Sequence, residues 1–226
     1  MKTNTMKAFL GLQSVKDTYL ARVREHRAAD QLVKGLYWRD GKGCAVGCTI
    51  HSDKHSDYER LLGIPEALAM LEDSIFEGLP NELAMTWPDR FLDSIQVGAD
   101  LTLVASRFLH WLLVDPVDGV VKYADVKTKP AIVAVGNLYA RRLGGDEPTT
   151  GEWLAAYAHA SAYAAKAAHA AYYAAYTHAS AAANAARAAA NIASDHGVTA
   201  YADVKAKEKA ARVRQSEKLL ELLKAA

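Results

Sequence analysis

Apolar side chains in the first 150 residues recur mostly at intervals of three and four, the spacing that one face of an α-helix requires. Residues 16–34 show this spacing and predict an amphipathic helix that stops near Gly35. A second stripe predicts a helix that opens at Pro65 and ends near Gly78. Three more helices are predicted: a short one after Pro88, one capped by Asp100, and one over residues 131–143.

A turn signal interrupts the helical pattern after the first helix. Asp40 and Gly41 form the pair that two-residue hairpin turns favour, because glycine accepts a positive φ. The sequence therefore predicts a small β-hairpin near residues 36–48.

A helix-start signal follows the hairpin. Ser56 and Glu59 have the spacing of a capping box, in which each side chain binds the backbone amide of the other residue. The box predicts a short helix that begins at Asp57 and ends at Gly63.

The pattern changes after residue 150, because 23 of the 45 residues over 151–195 are alanine. Alanine has the highest helix propensity but removes little apolar area from water when it is buried. We therefore predict an all-α protein with a compact helical domain over 1–150 and an Ala-rich helical tail over 151–226. In this tail a long helix opens at Trp153, and a last helix follows. The long helix carries a polar stripe at Lys166, Tyr173, Thr177, Ser180, Asn184, Arg187 and Asn191.

Composition excludes several classes of protein. The 226 residues are 51% apolar and carry a net charge of +1, so neither a disordered chain nor a strongly basic nucleic-acid binder is expected. Two cysteines give no disulfide framework. No apolar run is long enough to span a membrane, and the apolar stretch near the N-terminus is too short for a signal peptide. These features predict a protein of the reducing cytoplasm without a membrane partner.

Four potential metal ligands follow the predicted turn within twelve residues. Cys44, Cys48, His51 and His55 are the thiol and imidazole ligands that tetrahedral zinc prefers. The spacing is looser than that of a zinc finger, and one short loop rarely surrounds an ion alone. The alternatives are that the cysteines are small buried hydrophobes beside surface histidines, or that Cys44 and Cys48 form a redox pair.

An anion site is the second hypothesis for the same segment. Cationic and imidazole side chains precede the predicted helix start at Asp57, where unpaired amides favour anions. Nearby aromatic rings would stack on a base or another ring. The alternative is an ordinary charged loop, since no known phosphate-loop motif is present. The predicted ligand-binding residues are Trp38, Arg39, Lys42, His51, Lys54, His55 and Tyr58.

No catalytic residue is predicted. Glu72 and Asp73 fall on the predicted exposed face of their helix and are interpreted as solvated carboxylates. His110 lies beside Trp111 on a strongly apolar helix and is interpreted as a core or boundary histidine. The residues therefore favour binding over catalysis.

Residues 35–115 resemble a family of uncharacterised proteins encoded by bacteriophages and prophages. The motifs are C-A-V-G-C-T-x-H at 44–51, His55, Y-E at 58–59, L-G-I-P at 62–65, L-E-D at 71–73, F-E-G-L-P-N at 76–81, W-P-x-R-F at 87–91 and G-A-D-L at 98–101. The Ala-rich tail is also similar. The resemblance implies a phage accessory protein in the cytoplasm of the bacterial host. Such proteins often counter host immunity, and the resemblance assigns no catalytic residue.

Three functions remain open from the sequence. The first is binding, either of a small anionic, nucleotide-type ligand or of a host protein, as an antagonist of a host defence process. The second is a metal-dependent hydrolase built on Cys44, Cys48, His51 and His55, with zinc as its cofactor. The third is a structural protein that forms a homo-oligomer through residues 151–226. An echo of Y-A-D-V-K at 123–127 and 201–205 is assigned no function.

Overall fold

A computed structural model describes residues 6–161, 184–185, 188–189 and 201–226. The described chain is mainly helical with one two-stranded hairpin, which confirms the predicted all-α class and its small β element. None of its described helices combines the length and the apolar character needed to cross a membrane.

The first half of the chain alternates short helices with tight turns. Its elements are a 3-10 turn (Ala8–Gly11), α1 (Gln13–Ala28), β1 (Trp38–Arg39), β2 (Lys42–Gly43), α2 (Ala45–Ile50), α3 (Asp57–Leu62), α4 (Glu66–Gly78), α5 (Asn81–Ala84) and α6 (Trp87–Ser94). The later elements are α7 (Val104–Val114), a 3-10 turn (Val120–Tyr123), α8 (Lys129–Leu143), α9 (Thr150–Ser161) and α10 (Tyr201–Lys224).

The chain forms two compact units, one over Met1–Val104 with Ser216–Ala226 and one over Ala105–Gln215. The first unit has a core of large apolar side chains. This core includes the predicted stripe of α4 and the apolar face of α6, which confirms both predictions. Its largest fully buried members are Phe9, Tyr58, Leu62, Ile64, Leu68, Leu71, Ile75, Phe76, Trp87, Phe91 and Leu92.

The predicted hairpin is present and very short. Trp38 pairs with Gly43 and Arg39 pairs with Lys42, in antiparallel register. The two turn residues between them, Asp40 and Gly41, both have positive φ, of 52° and 77°. Positive φ at both central residues is the requirement of a type I′ turn, whose twist matches that of the strands. Directly after β2 the chain turns into α2.

Helix α1 is shorter than predicted, because it ends at Ala28 rather than near Gly35. The residues after it leave the helix to pair with β2: the Gly43 amide donates to Gln31 O at 3.1 Å, and the Val33 amide donates to Gly43 O at 2.8 Å. These backbone hydrogen bonds replace the intrahelical ones that the apolar spacing had predicted.

The predicted capping box at Ser56 and Glu59 is wrong, although α3 begins at Asp57 as expected. Ser56 already has helical backbone angles, and its side chain makes no capping hydrogen bond. A capping box forms instead at the start of α9, where the Glu152 amide donates to Thr149 Oγ1 at 3.3 Å and the Thr149 amide donates to Glu152 Oε2 at 2.8 Å.

In the second unit, α8 and α9 pack through aromatic and cationic side chains. The rings of Tyr139 and Trp153 meet edge to face at 4.9 Å between centroids, and the Arg142 guanidinium lies 5.0 Å from the Trp153 ring.

The two copies of the Y-A-D-V-K sequence differ in structure. Residues 123–127 start at the last residue of a 3-10 turn and continue beyond it, whereas residues 201–205 are the first residues of α10. The two copies therefore form no structural repeat.

Among the described residues, the predicted long alanine-rich helix is represented by α9 (Thr150–Ser161), and residues 184–185 and 188–189 are also helical. Most of its continuation and most of the polar stripe between Lys166 and Asn191 lie outside the described residues. The division at residue 150 and the role of 151–226 in assembly therefore stay predictions.

Candidate functional site

Both cysteines are free and buried where β2 leads into α2. Cys44 directly precedes α2, and its Sγ accepts a hydrogen bond from the Gly47 amide at 3.5 Å. The Cys48 thiol donates to Gly43 O at 3.3 Å. Burial raises the pKa of Cys48 to about 11, and burial together with the Asp73 carboxylate raises the pKa of Cys44 well above its ordinary value. Both thiols therefore stay protonated at neutral pH, as packing residues do and nucleophiles do not.

His55 lies at the edge of the core against a carboxylate. Its Nε2 is 3.2 Å from Asp73 Oδ2, and the two side chains are only 11% and 12% exposed. The Tyr37 ring meets His55 edge to face at 5.8 Å between centroids. Asp73 also contacts the Cys44 thiol. The neighbour of the thiol is therefore a carboxylate, which disfavours a thiolate, and not the imidazole that a Cys–His pair would use.

His51 lies on the surface at the end of α2, in a left-handed backbone conformation with φ 54°. Its ring stacks on Trp38, with centroids 4.5 Å apart and planes 13° apart. Its Nε2 is 2.7 Å from Nε2 of His26, in the last turn of α1, and His26 Nδ1 is 2.5 Å from Gln31 Oε1. Partial burial lowers the pKa of His51, and the electrostatic effect of the neighbouring Arg22 and His26 lowers it further.

The four predicted metal ligands do not converge on one point: Cys44 and His55 both contact Asp73, whereas Cys48 contacts backbone carbonyls and His51 contacts His26. Within the described residues, no three His, Cys, Asp or Glu side chains are arranged to hold a metal ion, so the zinc site over Cys44, Cys48, His51 and His55 is not formed in this structure. Cys48 faces backbone carbonyls under the hairpin, and Cys44 lies between the Gly47 amide and Asp73, because α2 folds back beneath the hairpin. The left-handed turn at His51 separates the two imidazoles.

A buried polar pair lies beneath this segment and corrects two sequence interpretations. Tyr58 is 0% exposed and donates its hydroxyl hydrogen to Glu72 Oε2 at 2.7 Å, so its ring is not available to a ligand. Glu72 is likewise 0% exposed, and Asp73 is buried, although both were expected on a solvated face. The Trp87 indole donates to Glu72 O at 2.9 Å. Burial raises the pKa of Glu72 well above its ordinary range.

We expect Tyr58→Phe to lower the free energy of unfolding by about 1–3 kcal/mol, because it removes the donor to a fully buried carboxyl oxygen. Glu72 Oε1 has no hydrogen-bond partner among the described residues, so Oε2 would become a second unsatisfied atom. Urea unfolding measures the change. Phe substitution at the exposed Tyr37 is the matched control, and an equal loss in both variants would contradict the role of the buried pair.

The remaining predicted ligand residues lie in the hairpin and in the loop that begins at the end of α2, and they are here together called the hairpin surface. It consists of Trp38, Arg39, Lys42, His51 and Lys54. The last four are exposed, and Trp38 is half-buried under the His51 ring. His55 and Tyr58 are not part of it.

Sequence reasoning missed the residues that support this patch from other helices. His26 and Arg22 adjoin His51 from α1, and Gln31, which follows that helix, hydrogen-bonds to His26. Nothing in the local sequence connects these residues with His51. One feature of the sequence does indicate that Glu72 is buried. Apolar residues on more than one face of α4 indicate a helix that is buried nearly all round.

No protein-family model, no curated protein and no solved structure matches this chain.

Proposed function

We propose that this protein is a phage accessory protein that acts by binding a small anionic ligand of the nucleotide type on the hairpin surface. The observation that carries the proposal is the register of the hairpin, which places Arg39 directly opposite Lys42. Like charges at directly opposed positions of two strands repel each other and destabilise the pair. An anion held between them removes that repulsion.

The neighbourhood of this pair supports the proposal. Neither Arg39 nor Lys42 forms an ion pair with a described residue, so both charges are available to a ligand. The exposed imidazole of His51 lies on the Trp38 ring, and Lys54 follows in the same loop. The protein would act in the cytoplasm of the bacterial host, where removal of a nucleotide signal would antagonise a defence process.

We expect at least one phosphate-bearing ligand to bind the protein and to bind at least tenfold more weakly to Arg39→Ala/Lys42→Ala. Each charge-assisted hydrogen bond contributes about 1.5–3 kcal/mol, and 1.4 kcal/mol corresponds to a factor of ten in affinity. The measurement is isothermal titration with a panel of mono-, di- and triphosphate and cyclic nucleotides. The affinity should also fall with added salt.

The control is Arg107→Ala/Lys129→Ala, which removes the same charge from exposed positions in the second unit. Equal weakening in both double variants would show a general effect of net charge and contradict the site. If no member of the panel binds the wild-type protein, the small-ligand proposal is wrong.

Docking on a host protein is the second candidate, and the exposure of Tyr37 favours it. Tyr37 is 59% exposed next to Trp38 and Arg39. Tyrosine, tryptophan and arginine are the residue types that dominate binding energy at protein interfaces. A host protein retained by the wild-type chain but not by Tyr37→Ala/Arg39→Ala would support docking over ligand binding.

A further inference from the structure

We propose that His26 and His51 form a binding site for a divalent transition-metal ion that prefers imidazole, such as Ni²⁺ or Cu²⁺. The two Nε2 atoms face each other at 2.7 Å, and both rings reach the surface. This site differs from the predicted zinc site, since His26 comes from α1 and neither cysteine takes part. It does not depend on the proposed anion binding.

The hydrogen bonds of His26 orient its lone pair toward His51. Gln31 Oε1 accepts only, so the nitrogen beside it, Nδ1 of His26, must carry the hydrogen. In the neutral ring this leaves the lone pair on Nε2, which accepts the hydrogen of His51 Nε2. A bound metal ion replaces that hydrogen, and His51 then carries it on Nδ1. A ring whose second nitrogen is hydrogen-bonded to an acceptor is the usual arrangement of a metal-ligating histidine.

The distance between the two nitrogens indicates which metal geometry fits. With metal–nitrogen bonds of about 2.0–2.1 Å, two ligands at a right angle lie about 2.9 Å apart, and two tetrahedral ligands lie about 3.3 Å apart. The observed 2.7 Å is closer to the right-angle value. Tetragonal coordination is typical of Cu²⁺ and Ni²⁺, which also bind nitrogen ligands more tightly than the lighter divalent metals do.

The surroundings hold both rings in place. His51 is fixed by its stack on Trp38 and by its backbone amide, which donates to Gly47 O at 2.8 Å. His26 lies in the last turn of a 16-residue helix, whose partial negative charge favours a cation. Arg22 lies near His51, and its positive charge disfavours a cation at this site. Its guanidinium is held by a hydrogen bond that it donates to Thr49 O at 3.0 Å. The remaining coordination positions are left to water or to a ligand oxygen.

The test is calorimetric titration of the full chain, produced without a histidine tag, with Ni²⁺ alone and Cu²⁺ alone in chloride buffer. We expect one ion per chain and at least a tenfold loss of affinity in His26→Ala and in His51→Ala. The control His159→Ala, an exposed histidine on α9, should bind like the wild type. Gln31→Ala should lower the affinity by about tenfold, as removal of an outer-shell partner does.

Failure to bind Ni²⁺ and Cu²⁺, or equal binding by the wild type and both histidine variants, would overturn the proposal. Circular dichroism of each variant without metal shows that the fold is kept. Arg39→Ala/Lys42→Ala should retain metal binding, so failure of this site and failure of the anion site are distinguishable.

Discussion

Gly47→Ala is expected to lower the free energy of unfolding by about 3 kcal/mol or more. A Cβ at position 47 would lie 1.7 Å from the carbonyl oxygen of Tyr37 and 2.8 Å from its carbonyl carbon. These atoms belong to the backbone, which cannot rotate away as a side chain can. Tyr37 O also accepts a hydrogen bond from the Cys44 amide at 3.1 Å, so a shift of the strand breaks a contact that positions α2.

Urea unfolding followed by circular dichroism measures this loss. Gly98→Ala is the control in the same unit: Gly98 has a φ of 82° but nothing within 4 Å of the added Cβ. The Gly98→Ala substitution introduces backbone strain at a positive φ without any steric overlap. This strain alone costs about 1 kcal/mol. A Gly47→Ala loss no larger than the Gly98→Ala loss would contradict the close packing of α2 beneath the hairpin.

Glu72→Gln is expected to become steadily more stable than the wild type as the pH rises above 4.5, until the pKa of Glu72 in the folded protein is reached. Burial, reinforced by the nearby Asp73 charge, raises the pKa of Glu72 well above 4.5, the ordinary value of a glutamate. Above pH 4.5 the unfolded chain releases a proton that the folded chain retains. The wild-type protein therefore loses up to about 1.4 kcal/mol of stability for each pH unit until the folded pKa is reached.

Glutamine cannot ionise, and its carbonyl oxygen still accepts the hydrogen bond from Tyr58. The variant should therefore lack this dependence on pH, while near pH 4.5 its stability should be close to that of the wild type. Urea unfolding at pH 5, 6 and 7 gives the difference directly. Glu82→Gln, at an exposed position on α5, should follow the wild-type profile. Parallel profiles of Glu72→Gln and the wild type would show that Glu72 is ionised in the folded state.

Several features of the fold follow from residues that are close in sequence. The Asp40-Gly41 pair predicts the hairpin because both turn positions need positive φ. Gly63 ends α3 in the left-handed conformation that glycine adopts readily. The apolar stripe of α4 is buried as its spacing predicts. The first two depend on interactions within one or two turns of the chain, and the third follows from the period of the α-helix, so a sequence pattern can predict all three.

Part of the candidate site was also accessible from the sequence. The cations Arg39, Lys42 and Lys54 were predicted as ligand-binding residues because they cluster before the helix start at Asp57, and the structure leaves all three exposed. His55 was predicted as part of the same cluster and Tyr58 as a ring that stacks on a ligand, but both lie elsewhere. Tyr58 lies in the first turn of a short helix that packs into the core, and His55 turns toward a carboxylate on α4.

The sequence by itself thus determined the helical class, the hairpin and the cations around it. Only the tertiary structure decided which polar groups meet. His26 and His51 are 25 residues apart, and Tyr58 and Glu72 are 14 apart. Their contacts depend on how α1 packs on α2 and α3 packs on α4, which no local pattern encodes. Glu72 shows the reason most clearly: a helix buried nearly all round takes a carboxyl into the core once a hydroxyl there hydrogen-bonds to it.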